Sequence, residues 1–98
     1  MNAIASPPRL DDIRCFLPAI GEEEYVRRDK IRSMRNVAAA MIAKTESSAA
    51  RQLAWLCSEF ATEAVYAPLP AALLDEVGKF CHRLMITAMQ AERLETHE

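Results

Sequence analysis

The last third of the 98-residue chain carries the feature that most constrains its fold, an apolar helical face too wide for one neighbour to cover. With about 100° of rotation per residue, the apolar side chains between Leu73 and Met89 fall within an arc of about 180°. A helix that packs against a single neighbour needs an arc of only about 100° or somewhat more. The excess predicts burial against two neighbours, one of them a second copy of the chain. The residues assigned to this dimer interface are Leu73, Leu74, Val77, Phe80, Cys81, Leu84, Met85, Ala88 and Met89.

The composition favours a small helical domain. Hydrophobic residues make up 51% of the chain and charged residues 27%, so a packed core is expected and wholesale disorder is not. Much of the apolar content is Ala, Leu and Met, and the chain holds only two Gly, which is typical of helices. A single domain of this length buries a modest share of its surface, and self-association increases that share.

The hydrophobic spacing predicts three main helices. The first covers about residues 22–44, the second starts near Ser48 and ends before Pro68, and the third covers about residues 70–94. A break between the first two helices is left open, because Ser48 favours a new start while its Ala-rich flanks favour continuity. The predicted fold is all-α: a dimeric helical bundle of three main amphipathic helices plus a short N-terminal helix or arm.

Two arrangements are open for residues 1–21, the predicted N-terminal arm. In the first, Ser6 caps a short helix. Its apolar face would contain Leu10, Ile13 and Leu17. In the second, an extended arm packs three apolar side chains against the helices. These are Ile13, Phe16 and Ile20. Residues 22–98 form the helical domain in either case.

No combination of residues typical of catalysis or metal binding is evident. Cys81 and His82 are adjacent but point about 100° apart on a helix, whereas a catalytic Cys–His pair needs hydrogen-bond reach. His82 is expected on the polar side of the third helix and His97 in a frayed tail. Cys15, Cys57 and Cys81 are expected to be reduced, buried hydrophobes. Without metal-ligand spacing or a glycine-rich phosphate loop, the chain is predicted to be non-catalytic and to need no metal or cofactor.

The charge balance bears on partners and location. A net charge of −2 favours neither nucleic acid nor an anionic membrane as the partner. No apolar run approaches the ~18 residues of a membrane span, and the N-terminus is not organised like a signal peptide. These observations predict a cytoplasmic protein that binds neither nucleic acid nor membrane directly.

Two aromatic side chains lie away from the core face of the second helix. Relative to Leu53, Trp55 falls near 200° and Tyr66 near 220° around the helix axis, on about the same line. Trp and Tyr are enriched at the energetic centres of protein interfaces. Either they bind a partner, or another helix or the N-terminal arm covers them.

Basic residues at the start of the first helix form another candidate surface. Arg28, Arg32 and Arg35 follow helical spacing, and they either dock an acidic partner or face solvent. The apolar stripe of this helix, extended backward, meets Arg27 and Lys30, so the first two turns are expected to project past the core. The predicted partner-binding residues are Tyr25, Arg28, Arg32, Arg35, Trp55 and Tyr66.

In its small size, its three-helix layout and its surplus apolar face, the chain resembles the small quorum-sensing anti-activators of proteobacteria. Those proteins bind a LuxR-type transcription regulator and block its dimerisation or its DNA binding. The resemblance implies a bacterial regulatory protein that binds another protein. It rests on general layout and assigns no functional residue.

A second resemblance gives the alternative function. The sequence Leu-Asp-Asp-Ile-Arg that ends at Arg14, with Lys44 and Gln90 downstream, is similar to the small helical chorismate mutases and isochorismate-pyruvate lyases. In that family an early Arg, a mid-helix Arg and Lys, and a late Gln bind a cyclic dicarboxylate. Arg14, Lys44 and Gln90 would be the matching positions, while Arg32 fits the position of the mid-helix Arg poorly. The family's first helix is unbroken, whereas Pro and Gly between residues 18 and 21 interrupt it here.

Overall fold

The computed structural model describes residues 7–96, and these contain three α-helices preceded by two 3-10 helices. The 3-10 helices are Leu10–Asp12 and Arg14–Phe16, and the α-helices are α1 (Glu24–Lys44), α2 (Ser48–Tyr66) and α3 (Ala71–Thr96). No β-strand occurs in residues 7–96, which confirms the predicted all-α class. The hydrophobic spacing located each α-helix to within two residues of its observed ends.

A capped turn separates α1 from α2, which answers the question of continuity. The backbone N–H of Ser47 donates to Thr45 Oγ1 at 3.0 Å, and Ser47 Oγ accepts the N–H of Ala50 at 3.0 Å. Thr45 and Ser47 are both buried, so their hydroxyl groups satisfy backbone groups that water cannot reach. The cap of α2 is therefore Ser47, one residue before the predicted start.

Helix α2 occupies the middle of the fold. It packs extensively along both α1 and α3, which contact each other less. Its buried positions are mostly Ala: Ala50, Ala54, Cys57, Ala61, Ala64 and Val65. Small side chains let neighbouring helix axes approach closely, so the larger core side chains come from the flanking helices. These are Ile31, Met34 and Met41 of α1 and Leu74, Met85 and Met89 of α3.

The N-terminal segment of residues 9–18 covers the groove between α1 and α3. Ile13 is completely buried in the core, and Phe16 is partly buried against it. Pro18 lies so close to Gly78 of α3 that an added Cβ at Gly78 would be 3.5 Å from the Pro18 ring. The segment thus closes one of the grooves between the helices.

The shape of this segment differs from both predicted arrangements. Two 3-10 helices replace the single helix, because Ile13 between them has a conformation that belongs to neither helix type. Leu10 and Leu17 are about half exposed, so the predicted shared apolar face is reduced to Ile13. Ile20, expected to pack in the extended arrangement, is fully exposed. The predicted cap, Ser6, lies outside the described residues.

A hydrogen bond from Lys30 attaches the end of this segment to α1, and an ion pair joins the starts of α1 and α3. Lys30 pairs with Glu22 and donates to the carbonyl of Leu17 at 3.0 Å, while Arg27 Nε lies 2.8 Å from Asp75 Oδ1. The hydrogen bond from Lys30 lowers the pKa of the Glu22 carboxyl below its usual 4.5. The expectation that these turns project past the core is wrong for Arg27, whose side chain is only 14% exposed.

Candidate functional site

The groove between α2 and α3 is apolar and open to solvent. Phe60 and Phe80 meet there edge to face with ring centroids 5.0 Å apart, yet each is about 45% exposed. Leu56 and Leu73 are about half exposed on the same groove. Together with half-buried neighbours they form what we call the α2–α3 apolar surface: Leu53, Leu56 and Phe60 of α2, and Leu73, Val77, Phe80 and Leu84 of α3.

The surface exists because each helix carries more apolar side chains than its core contact uses. On α3, part of the wide apolar arc packs in the core, and the remaining apolar side chains lie at the surface. Five of the nine predicted dimer residues are buried within the chain, which leaves them no surface for a second copy: Leu74, Cys81, Met85, Ala88 and Met89. The other four, Leu73, Val77, Phe80 and Leu84, lie on the α2–α3 apolar surface.

The apolar spacing of α2 predicts that two residues of this surface, Leu56 and Phe60, lie on the core face. They lie at the edge of the apolar stripe, about 100° from the buried Cys57 and Ala61 respectively. Their exposure of 50% and 45% follows from that position. A narrower apolar stripe, centred on the small residues of α2, would have placed Leu56 and Phe60 outside the core.

Charged residues line the two outer borders of the α2–α3 apolar surface. The α2 border carries Glu59 and Glu63, and the α3 border carries Glu76, Lys79 and Arg83, all exposed. Lys79 lies 3.4 Å from Glu76 in a solvent-exposed pair. Across residues 7–96, Glu59, Glu63 and Arg83 have no ion-pair partner.

Trp55 and Tyr66 lie on the other exposed side of α2. Their exposed fractions are 53% and 76%, so the alternative that another helix or the N-terminal arm covers them is wrong. Trp55 is about 40° around the helix from Arg51, whose guanidinium donates to the carbonyls of Ile42 and Thr45 at the end of α1. The two aromatic side chains therefore border the groove between α1 and α2.

The predicted basic residues divide between a structural and an exposed group. Arg28 donates to the carbonyls of Ala64, Val65 and Ala67 at 2.9–3.1 Å, which satisfies acceptors at the C-terminus of α2. Arg28 is therefore committed to the fold, and its assignment to a partner surface is corrected.

The exposed group remains available for a partner. Arg32 makes only an exposed pair with Asp29 at 2.5 Å, Arg35 is half-buried, and Tyr25 is 69% exposed. Arg32 and Arg35 lie about 40° and 20° from Arg28 around α1, so they too border the α1–α2 groove. We call Tyr25, Arg32, Arg35, Trp55 and Tyr66 the α1–α2 surface.

Three of the residues considered as nucleophiles or bases, Cys57, Cys81 and His82, are buried. The Cys81 thiol donates to the carbonyl of Cys57 at 3.8 Å, and the neighbouring thiol together with burial raises the pKa of Cys57. His82 is buried rather than on the polar side of α3, and burial lowers its pKa. Cys15 is exposed, contrary to expectation. In the described part of the chain, no group of three His, Cys, Asp or Glu residues could hold a metal ion.

The residues of the predicted dicarboxylate site lie apart. Gln90 lines a groove of about 670 Å³ between residues 7–11 and α3, whereas Lys44 lines another between residues 7–12 and α1. Arg14 and Arg32 line neither groove and form exposed ion pairs instead. Neither groove is lined by more than one of these four residues.

No protein family matches this chain, and it shows no significant similarity to a curated protein or to a solved structure. Within residues 7–96, no helix combines the length and the hydropathy needed to cross a membrane.

Proposed function

We propose that this chain is a small, non-catalytic regulatory protein of the cytoplasm that acts as a homodimer and binds another protein. The observation that carries the proposal is the exposure of Trp55 and Tyr66, at 53% and 76%, on one side of α2. Trp and Tyr combine a large apolar area with a polar tip, which is why they dominate interface energetics. Solvent exposure of both on one line favours a binding role over a packing role.

The charge of the α1–α2 surface indicates the chemistry of the partner. Arg32 and Arg35 border the groove that Trp55 and Tyr66 also border. Arg forms planar, paired hydrogen bonds with carboxylates and stacks on aromatic rings. The surface therefore fits a partner that presents acidic side chains around apolar pockets.

The proposed partner is a transcription regulator. In size, helix layout and surplus apolar surface the chain resembles the small anti-activators that bind LuxR-type regulators. By that resemblance, binding would block dimerisation or DNA binding of the regulator. The protein itself would contact no DNA, in keeping with its net charge of −2.

The test measures binding of the purified chain to a LuxR-type regulator from the same cell, together with the regulator's affinity for promoter DNA. We expect the wild-type chain to bind and to weaken DNA binding. Trp55→Ala should reduce affinity about tenfold or more, because truncating such an anchor removes an interface centre. Arg32→Glu should also reduce affinity about tenfold or more, because it places a carboxylate opposite the acidic side chains of the partner.

The matched control is Leu94→Ala, which removes a more accessible apolar side chain (76% exposed) near the end of α3. It should bind like the wild type. If Trp55→Ala and Arg32→Glu also bind like the wild type, the assigned surface is wrong. If the wild-type chain neither binds the regulator nor changes its DNA affinity, the proposed partner is wrong.

A further inference from the structure

The α2–α3 apolar surface is bordered by the same local sequence pattern with opposite charges. On α2, Glu occupies the positions one before and three after Phe60, which are Glu59 and Glu63. On α3, basic residues occupy the same positions relative to Phe80, which are Lys79 and Arg83. Phe60 and Phe80 contact each other, so the two patterns lie at the same level of the groove.

Helical geometry places these charges symmetrically about the groove. Glu63 and Glu59 lie about 60° and 100° from Phe60 around α2, on the side away from the core. Arg83 and Lys79 lie about 60° and 100° from Phe80 around α3. The α2 border of the surface is therefore acidic. The α3 border carries two basic residues and one acid, Glu76, which lies about 40° from Phe80 and pairs with Lys79 at 3.4 Å.

We propose that two copies of the chain associate face to face through the α2–α3 apolar surface, with α2 of each copy against α3 of the other. The two-fold axis runs parallel to the helices. This proposal rests on the homodimer named in the proposed function and adds its surface and orientation. Because α2 and α3 are connected by only four residues (67–70) and run antiparallel, Glu63 faces Lys79 of the second copy and Glu59 faces Arg83 of the second copy.

Self-complementarity argues for a second copy as the occupant. A two-fold interface uses one surface twice, so it is favourable when the surface matches itself after rotation. The opposite charges at equivalent positions meet this condition. The alternative two-fold arrangement, α2 on α2 and α3 on α3, would bring the acidic border of one α2 against the acidic border of the other, which is unfavourable.

The arrangement leaves the proposed partner surface free. Pairing through the α2–α3 groove buries Leu56, Phe60 and Phe80, which are about half exposed in the single chain. Trp55 and Tyr66 border the α1–α2 groove instead, so each dimer would present two copies of the α1–α2 surface.

Charge reversal tests the proposal. We expect the wild-type chain to sediment as a dimer at micromolar concentration. Lys79→Glu/Arg83→Glu should weaken dimerisation at least about tenfold, and Glu59→Lys/Glu63→Lys should do the same, since each places like charges across the interface. The quadruple variant, with both borders reversed, should restore dimerisation to within a few-fold of the wild type.

Arg14→Glu/Lys44→Glu is the matched control, because it makes the same change in net charge on exposed residues outside the α2–α3 groove. It should dimerise like the wild type. Circular dichroism of each variant verifies that the helices are intact.

Three results would overturn the proposal in distinguishable ways. A wild-type chain that is monomeric at micromolar concentration removes the dimer itself. A dimer that both double variants leave unchanged uses another surface. A quadruple variant that stays as weak as the double variants excludes the arrangement of α2 against α3. None of these results bears on binding of the regulator, which Trp55→Ala tests separately.

Discussion

The two grooves that flank α3 are filled in different ways. The groove toward α1 is covered by residues 9–18 of the same chain, which place Ile13 in the core with no exposed surface. The groove toward α2 holds Phe60 and Phe80 in edge-to-face contact, but leaves both about 45% exposed. The comparison shows how a chain this short divides its apolar surface: its own N-terminus closes one groove, and by our proposal a second copy closes the other.

The charged side chains around the two grooves also differ in how far they are paired within the chain. Around the covered groove, charged side chains pair within the chain, as Glu22 does with Lys30 and Arg27 does with Asp75. Around the open groove, Lys79 forms only a solvent-exposed pair with Glu76, and Glu59 makes no ion pair with any described residue. Internal pairing stabilises a finished contact, whereas unpaired charges at a border remain available to a partner.

The largest expected effect comes from the covered groove. Ile13→Ala should lower the free energy of unfolding by about 2–4 kcal/mol, because it removes a fully buried side chain and leaves a cavity between α1 and α3. Urea unfolding followed by circular dichroism measures the change.

Ile20→Ala is the control, because the same substitution is made in the same segment at a fully exposed position. It should change the free energy of unfolding by less than about 0.5 kcal/mol. Equal effects of the two substitutions would show that the segment does not cover the groove as described.

Regular periodicity explains what the sequence could predict. The apolar stripe of α1 predicts six core residues, and four of them are buried while the other two are partly buried against the core: Ile31, Met34, Ala38 and Met41, and Val37 and Ile42. Such a stripe repeats every few residues, so several positions support one another and single errors matter little. The capping residues between α1 and α2 likewise marked the turn, since their chemistry is local.

Other features depend on contacts that no local pattern records. Ile13 and Ile20 are both predicted to pack against the helices in the extended arrangement, yet one is buried and the other exposed, because 3-10 turns have no sustained period. Arg28 and Arg32 are one helical turn apart, but only Arg28 reaches the carbonyls at the end of α2. The width of the α3 arc predicted two contacts without showing that Leu74 faces the core and Leu73 the open groove.

The open groove should respond less in the single chain than the covered groove. Phe60→Ala, made in the Lys79→Glu/Arg83→Glu variant to keep the chain monomeric, should cost about 1–2 kcal/mol of unfolding free energy. This is below the cost for a fully buried Phe, because Phe60 is 45% exposed and loses mainly its contact with Phe80. Urea unfolding again provides the measurement.

Tyr66→Ala in the same background gives the reference for a more exposed aromatic residue of α2 and should have a smaller effect. If Phe60→Ala costs as much as Ile13→Ala, the open groove is as closed as the covered one in the single chain. The contrast between the grooves would then be lost.

The smallest expected effect is a pH dependence that belongs to the covered groove alone. His82 is buried there, and burial lowers its pKa below 6.5, while the backbone of Ile13 acts in the opposite direction more weakly. The unfolded chain therefore binds a proton at His82 at a higher pH than the folded chain. By linkage, the stability that comes from a neutral His82 is present above pH 6.5 and is lost as the pH falls through the lowered pKa.

Urea unfolding should thus show that the free energy of unfolding of the wild type falls between about pH 7.5 and about pH 5.5. This fall should be smaller than the loss caused by Ile13→Ala or by Phe60→Ala. His82→Gln should remove most of this dependence, because it eliminates the titrating group from the covered groove. His97→Gln is the control: it removes the only other histidine in the sequence and should leave the dependence unchanged. Dimer dissociation constants of the wild type should stay constant over the same range, since no histidine borders the open groove in residues 7–96. If His97→Gln removes the dependence and His82→Gln does not, burial of His82 beneath the N-terminal segment is not its source.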